Sequence, residues 1–321
     1  MANTTIPLIE LPTDSDSLQT VSSEIVEALQ SSGFLLVKSS EIPWDLQESA
    51  IRVAFQWLVE PSQDSSSTGT TTSSNVEGVI DHPTDPKRYL MLNSLEELQR
   101  CHSDNATDGA ILVEYWKALE RVKRQLSTCL AIGLELEPDF FVRLHSKDQS
   151  ALRLLHYPAS NEEATTSPPE IIAQPQIRCK PHSDYGSVTL LLTDGVPGLE
   201  AFINGEWISV PHVKGALVVN IGSLLQGWTN GKLLATLHRV VVPEGSEGLP
   251  RTSLAFFADP DPDISTILKD ETTEDSTQGM AHIQSVADYI QWRSGGVGSE
   301  RSGLAFSQDE EDRVNNITKI S

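Results

Sequence analysis

Two kinds of hydrophobic pattern divide the chain. In roughly the first 150 residues, apolar positions recur at steps of three and four, which is the spacing of one face of an α-helix. Helices are predicted in this way at residues 18–29, 44–58 and 109–133, and Gly33 marks the end of the first one. A short apolar run at 34–37 predicts a strand between the first two helices.

Short strands and turns replace the helical spacing from Leu152 onward. Asn204-Gly205 separates two such stretches and is typical of a type I′ hairpin. A helical first part followed by short antiparallel strands indicates an α+β fold with a jelly-roll or barrel core. Further strands are predicted at 152–157, 216–221, 237–242 and 251–257, and a last helix at 286–292.

Segments without periodic apolar residues complete the organisation. Residues 64–75 are rich in Ser and Thr, residues 161–176 are rich in Pro, Glu and Thr, and an acidic segment lies near 269–275, so we expect solvated loops there. We treat the chain as one domain. Its predicted parts are an N-terminal region of helices and strands at 1–150, a jelly-roll domain at 151–295 and a C-terminal tail at 296–321.

The composition narrows the range of partners. The chain has 23 Lys and Arg against 45 Asp and Glu, and its formal net charge of −22 repels nucleic acid and anionic membrane surfaces. Cys101, Cys129 and Cys179 show no paired spacing, which argues against a disulfide framework and a cysteine zinc site. The sequence also shows no basic leader and no apolar run of membrane-spanning length. We therefore expect a cytoplasmic monomer that acts on a small molecule.

Metal-binding chemistry is indicated by His182-Ser183-Asp184 and a second histidine, His238. In a strand, the side chains of His182 and Asp184 would project from the same face, so both can reach one ion. Two imidazoles and one carboxylate suit Fe(II) and leave three coordination positions open. Zinc needs only one open position in a catalytic site, so the three residues alone leave it as an alternative.

Arg251 favours iron. It lies in a mostly apolar strand, where a guanidinium is costly unless an anion meets it, and Ser253 follows two residues later. A planar guanidinium with a neighbouring hydroxyl is suited to binding one end of a dicarboxylate. The combination suggests a 2-oxo acid that chelates iron. His156 alternates to the opposite strand face from Tyr157, so we interpret it as structural.

Several motifs in order along the chain resemble those of the iron(II)/2-oxoglutarate-dependent dioxygenases, in particular the subgroup similar to isopenicillin N synthase. The resemblance covers most of the chain. It implies a double-stranded β-helix (jelly-roll) core with flanking helices. The motifs are Ile6 to Leu11, Gly33 to Val37, Leu152 to Pro158, His182-Ser183-Asp184, Asn220-Ile221-Gly222, Trp228 to Gly231, His238-Arg239-Val240 and Arg251-Thr252-Ser253.

The resemblance also implies roles for single residues. His182, Asp184 and His238 match the family's iron ligands and so its catalytic centre. Arg251 and Ser253 match the pair that holds the distal carboxylate of 2-oxoglutarate, and Tyr157 matches a tyrosine that also reaches it. Two positions depart from the pattern. Many relatives have Asn where this chain has Leu155 and Asp where it has Ser223, so one polar contact to the co-substrate is in doubt.

The implied reaction uses Fe(II), 2-oxoglutarate and O₂. It hydroxylates, desaturates or cyclises a small organic substrate, with release of succinate and CO₂, and the resemblance places it in secondary metabolism. Two alternatives stay open. The first is an isopenicillin N synthase-like oxidase that does not use 2-oxoglutarate. The second is a non-catalytic binding protein on the same scaffold.

Overall fold

A computed structural model of the chain describes residues 5–12, 15–59, 78–101, 106–147, 149–159, 175–246, 248–266 and 285–293. The segments expected as loops at 64–75 and 269–275, most of the one at 161–176, and the tail at 296–321 lie outside these residues. The described helices are α1 (Ser15–Ser31), α2 (Trp44–Val59), α3 (Leu95–Cys101), α4 (Ala106–Gly133), α5 (Phe140–Arg143), α6 (Ser223–Trp228) and α7 (Val286–Arg293).

Two facing sheets form the β part of the molecule. The larger has eight strands in the order β1-β2-β10-β7-β12-β5-β4-β3, and the smaller has the order β6-β11-β8-β9. The strand pairs are antiparallel except β1 with β2, which are parallel. The strands are β1 (Leu8–Leu11), β2 (Phe34–Ser39), β3 (Ile80–Asp81), β4 (Arg88–Leu92), β5 (Ala151–Tyr157), β6 (Ile177–His182), β7 (Val188–Thr193), β8 (Leu199–Ile203), β9 (Glu206–Ser209), β10 (Ala216–Ile221), β11 (His238–Val241) and β12 (Arg251–Ala258).

The two faces of the larger sheet are both apolar, and one packs against helices while the other packs against the smaller sheet. Its outer face packs on α1, α2 and α4, where the Trp116 ring meets the Phe256 ring edge-on at a centroid distance of 5.4 Å. Its inner face and the smaller sheet enclose a second cluster, which includes Leu155, Ala201 and Val240. Strand alternation therefore sends every second side chain of β5 and β12 into the space between the sheets.

Two turns have backbone conformations that the residue types in the sequence had indicated. Asn204 and Gly205 both have positive φ angles, 54° and 87°, as a type I′ turn requires, so the predicted hairpin is confirmed. Gly33 has a φ of +70°, and a Cβ atom there would lie 2.2 Å from the backbone oxygen of Leu234. Glycine is therefore required on steric grounds in the turn that connects α1 to β2.

The predicted α+β fold with a jelly-roll core is confirmed. The helices expected at 18–29, 44–58, 109–133 and 286–292 correspond to α1, α2, α4 and α7. The pattern missed the short helices α3, α5 and α6 and the strands β3, β4 and β7. The boundaries near 150 and 295 stay predictions, although β1 and β2 join the same sheet as the later strands. Among the described helices, none combines the length and the apolar character needed to cross a bilayer.

His156 lies on the helix-facing side of β5, as predicted from alternation with Tyr157. The ring is 8% exposed, its Nδ1 lies 3.1 Å from the Thr252 hydroxyl, and it packs edge-on against Phe55. Burial and the positive charges of Arg88 and Arg178 lower the pKa of His156 from 6.5 to about 4. The ring is therefore neutral in the folded protein at neutral pH.

This burial of His156 predicts a pH-dependent stability. Because the unfolded state takes up the proton first, the free energy of unfolding should fall as pH drops from 6.5 to about 4. The full contribution of one such residue is roughly 3 kcal/mol. Urea unfolding at several pH values should show a shallower dependence for His156→Gln than for wild type. The exposed His212, which contacts the Thr193 hydroxyl, provides the control His212→Gln. An unchanged slope in His156→Gln would contradict the assignment.

Candidate metal centre

Two histidines from neighbouring strands of the smaller sheet face each other. His182 ends β6 and His238 begins β11, and the two residues are directly paired across the antiparallel ladder. Their ring centroids are 4.3 Å apart. Strand pairing therefore brings together two residues that are separated by more than fifty positions in the sequence.

Hydrogen bonds to backbone carbonyls fix the orientation of both rings. Nδ1 of His182 lies 2.8 Å from the Lys180 oxygen, and Nδ1 of His238 lies 3.1 Å from the Thr236 oxygen. A carbonyl oxygen only accepts, so each Nδ1 must carry the proton and donate it. Each Nε2 is then left with a free lone pair, which is the arrangement found in metal-binding histidines.

Asp184 completes the group from a position beyond the strand. The spacing argument placed His182 and Asp184 in one strand, and this was wrong, because β6 ends at His182. The chain turns immediately afterwards, and the Asp184 backbone oxygen accepts a hydrogen bond from the Ser223 amide. The turn still carries the carboxylate to the histidines, so that its Oδ1 lies 3.9 Å from Nε2 of His182 and 3.7 Å from Nε2 of His238.

The two oxygens of the Asp184 carboxylate have different tasks. Oδ2 accepts hydrogen bonds from the Thr189 hydroxyl at 2.5 Å and from the Asn220 amide nitrogen at 2.6 Å. Oδ1 faces the two imidazoles. Thr189 and Asn220 lie on β7 and β10 of the larger sheet and are directly paired. The larger sheet therefore orients a carboxylate whose free oxygen points toward the smaller sheet.

The electrostatics favour the protonation states that a metal ion requires. Burial, with the neighbouring His182, lowers the pKa of His238 from 6.5 to about 4, so its ring is neutral at neutral pH. Burial alone would raise the pKa of Asp184, but the two histidines and the hydrogen bonds from Thr189 and Asn220 outweigh it and lower that pKa. The site thus offers the neutral imidazole of His238 and a carboxylate.

The donor set fits one divalent cation. One ligand atom from each of His182, Asp184 and His238 lies within 4.8 Å of the others. Among the described residues, no other three His, Cys, Asp or Glu side chains come together at this spacing. All three residues line the cavity between the sheets. Because they approach from one side, the side toward the cavity is open for further ligands.

Arg251 and Ser253 line the same cavity. Arg251 is 1% exposed, its Nη1 donates to the Ser253 hydroxyl at 3.1 Å, and its Cζ lies 5.4 Å from the centre of the Tyr157 ring. The Arg251 Nε is buried without a hydrogen-bond partner. Within the described ranges no carboxylate forms an ion pair with this guanidinium, so the cavity holds a buried cation suited to an anionic ligand.

The cavity wall also contains polar residues that the sequence analysis did not single out. Thr189 orients Asp184, while Lys87 and Arg153 add two cations to the lining. Arg153 was visible in the sequence, because it alternates with Leu155 and Tyr157 on β5 and must share their face. Nothing comparable marks Lys87, which lies just before a strand that the pattern missed.

The chain is similar to known proteins along most of its length. Residues 149–260 match the model of the 2OG-Fe(II) oxygenase superfamily. A UPF0676 protein of Schizosaccharomyces pombe is 28% identical over 295 residues, which are 86% of this chain and 88% of that protein. The 2-oxoglutarate-Fe(II) type oxidoreductase ppzD of Metarhizium majus is 36% identical over 157 residues, 47% of this chain. The aligned part spans only 43% of that relative's own length.

The structure shares its fold with a solved structure from Neurospora crassa. That crystal structure holds a full-length protein in complex with alpha-KG and 5-formyluracil, and it superposes on this chain with a TM-score of 0.70. The two chains are 25% identical, and the superposition covers 89% of this chain and 95% of the Neurospora crassa chain.

The hydrogen bonds to Asp184 predict an effect on metal affinity. Thr189→Val and Asn220→Ala each remove one of the bonds to Oδ2 and free the carboxylate to rotate. We expect each change to weaken Mn(II) binding by about 10- to 100-fold. Isothermal titration of the metal-free proteins with Mn(II) measures this directly. Thr266→Val, at a buried threonine outside the cavity lining, serves as the control. Wild-type affinity in both variants would refute the orienting role.

Proposed function

From the premise that the chain belongs to the iron(II)/2-oxoglutarate-dependent dioxygenase family, we propose that it is an oxygenase acting on a small organic molecule. The reaction would couple oxidation of that molecule to conversion of 2-oxoglutarate into succinate and CO₂. The observation that carries the proposal is the arrangement of His182, Asp184 and His238 in one cavity with the guanidinium of Arg251, for which the described part of the chain supplies no carboxylate.

His182 Nε2, Asp184 Oδ1 and His238 Nε2 would hold Fe(II). Bound Fe(II) would supply the oxidising chemistry, using O₂ and the electrons released by decarboxylation of the 2-oxo acid. The protein's own contribution is positional. The two backbone carbonyls that accept from the Nδ1 protons fix the rings, and the pair Thr189 and Asn220 fixes the carboxylate.

Arg251 and Ser253 would bind the distal carboxylate of 2-oxoglutarate. The serine hydroxyl already accepts from the guanidinium, which holds the Arg251 fork in place before the ligand arrives. The Tyr157 ring packs against the same guanidinium, and we propose that its hydroxyl also reaches the carboxylate. The buried position makes the charge-assisted contact strong, because little water competes for it.

Apolar side chains line part of the remaining cavity wall. Phe34, Leu155, Leu191 and Val240 come from four different strands and exclude water from the surface that they cover. Leu155 stands where many relatives have Asn, so in this chain that wall contributes packing and no amide contact to the co-substrate. Exclusion of water protects a reactive centre from side reactions.

The setting of the reaction is part of the same proposal. The family resemblance supports a role in secondary-metabolite biosynthesis. The acidic composition supports a cytoplasmic monomer without nucleic-acid or membrane partners.

Loss of a metal ligand should abolish turnover without unfolding the protein. His182→Ala and Asp184→Ala each leave an incomplete donor set, so we expect no succinate above background when Fe(II), 2-oxoglutarate and a turned-over substrate are supplied. Circular dichroism should remain as in wild type. His212→Ala, at an exposed histidine outside this cavity, should behave as wild type. Normal succinate formation by either ligand variant would refute the site assignment.

Loss of the Arg251 charge should act on the co-substrate. We expect Arg251→Gln to raise the KM for 2-oxoglutarate by about tenfold or more, with a smaller change in kcat, because a charge-assisted bond is replaced by a neutral one. The KM of Arg251→Lys should lie between those of wild type and Arg251→Gln, since lysine keeps the charge but lacks the planar, forked guanidinium. Succinate release at varied 2-oxoglutarate concentration gives both constants. Substrate-dependent oxygen uptake without 2-oxoglutarate would favour the oxidase alternative.

A further inference from the structure

Arg153 lies in the cavity wall between two aromatic rings. Alternation along β5 places its side chain on the same face as Leu155 and Tyr157. Its Cζ is 5.3 Å from the centre of the Tyr89 ring and 5.3 Å from the centre of the Phe257 ring. The rings belong to β4 and β12, which flank β5 on either side, so the guanidinium is held by both neighbouring strands.

The Arg153 guanidinium has no anionic partner in the described part of the chain. It forms no ion pair and no hydrogen bond there, and its Nε is buried and unsatisfied. Lys87, the other cation of the cavity wall, does have an anionic partner. Lys87 Nζ lies 3.0 Å from an Asp85 carboxylate oxygen and 3.2 Å from the Cys179 sulfur. Arg153 therefore presents to the cavity a positive charge that no carboxylate of the described residues pairs with.

The cavity as a whole is positively charged, in contrast to the chain. The charged residues of its lining are Lys87, Arg153 and Arg251 against Asp184. Lys87 is paired with Asp85, so two arginines face one carboxylate, whereas the whole chain carries a formal charge of −22. Binding of a divalent cation at Asp184 would increase the positive charge further. A local field of this sign, in an otherwise acidic molecule, favours anionic ligands in the cavity.

The position of Arg153 separates it from the anchor of the co-substrate. Arg251 is paired with Tyr157, and Arg153 lies four residues before Tyr157 in β5, so the backbones of the two arginines are about 13 Å apart along the sheet. The end carbons of a five-carbon dicarboxylate are only about 5 Å apart. Arg153 Cζ instead lies over the ring of Phe257, which is paired with Thr189, and the Thr189 hydroxyl donates a hydrogen bond to Asp184. It is thus near the metal end of the cavity, where a substrate must lie.

We propose that Arg153 binds a carboxylate of the molecule to be oxidised, so that the substrate class is a small organic acid. The inference rests on the proposed function. The carboxylate would accept hydrogen bonds from the N–H groups of the guanidinium, whose Cζ lies over the Tyr89 and Phe257 rings. The apolar remainder of the acid would pack on Leu155 and Leu191. Anchoring at Arg153 determines which carbon faces the metal, which makes this arginine a specificity-determining residue.

A binding experiment with matched ligands tests the proposal. The probes are a set of small carboxylic acids and the primary amide of each, added to protein loaded with Mn(II) and 2-oxoglutarate. Isothermal titration gives the affinity without turnover. We expect some acids to bind, their amides to bind at least about tenfold more weakly, and Arg153→Gln to weaken acid binding by a similar factor. Arg153→Lys should retain part of the affinity.

Controls separate this proposal from the function on which it rests. Arg88→Gln removes a cation on the opposite face of the same sheet, paired with Asp81, and should bind the acids as wild type does. Arg153→Gln should keep wild-type affinity for 2-oxoglutarate and a wild-type circular dichroism spectrum. If wild-type protein with Mn(II) does not bind 2-oxoglutarate, the proposed function fails, whatever the acids do.

Three results would overturn the inference while leaving the proposed function in place. The first is that no acid of the set binds wild-type protein that does bind 2-oxoglutarate. The second is that the acids bind equally to Arg153→Gln, or no better than their amides. The third is that Arg153→Gln loses affinity for 2-oxoglutarate, which would place Arg153 in the co-substrate site. If Arg153→Gln fails to fold, the same criteria apply to Arg153→Lys.

Discussion

The buried carboxylate of Asp184 is the constraint on which the site depends. An isolated carboxylate in an apolar interior is unstable unless hydrogen bonds or opposite charges compensate it. Here the larger sheet supplies two donors to one oxygen, and the smaller sheet brings two imidazoles to the other. The site can therefore form only where the two sheets meet, and the pairing of β7 with β10 and of β6 with β11 determines its geometry.

The same cavity holds arginines whose compensation comes mostly from aromatic rings. Tyr157 packs against Arg251, and Tyr89 with Phe257 encloses Arg153. Cation–π contact stabilises a guanidinium partly and leaves its edge free to donate. The fold thus keeps two guanidinium groups near the metal ligands with N–H groups that can still donate hydrogen bonds to an anion. This arrangement explains how an acidic chain provides a positively charged pocket.

The sequence predicted those helices and turns that depend on residues close together in the chain. Helical spacing gave α1, α2 and α4, and Asn204-Gly205 gave a turn that only positive φ angles allow. The order of the motifs gave the jelly roll. The prediction that His182 and Asp184 share a strand was wrong, because the end of β6 depends on the backbone bonds that hold the following turn to Ser223. Contacts across the sheet were not predictable, since Tyr89 and Phe257 reach Arg153 from strands distant in sequence.

The central claim is that one divalent metal and one 2-oxo acid share the cavity between the sheets. Anomalous X-ray scattering from a crystal grown with Mn(II) and 2-oxoglutarate tests it most directly. The account predicts a single strong anomalous peak within bonding distance of Nε2 of both histidines and of Asp184 Oδ1, with the distal carboxylate of 2-oxoglutarate on Arg251. A metal bound elsewhere, or a distal carboxylate bound at Arg153, would contradict it.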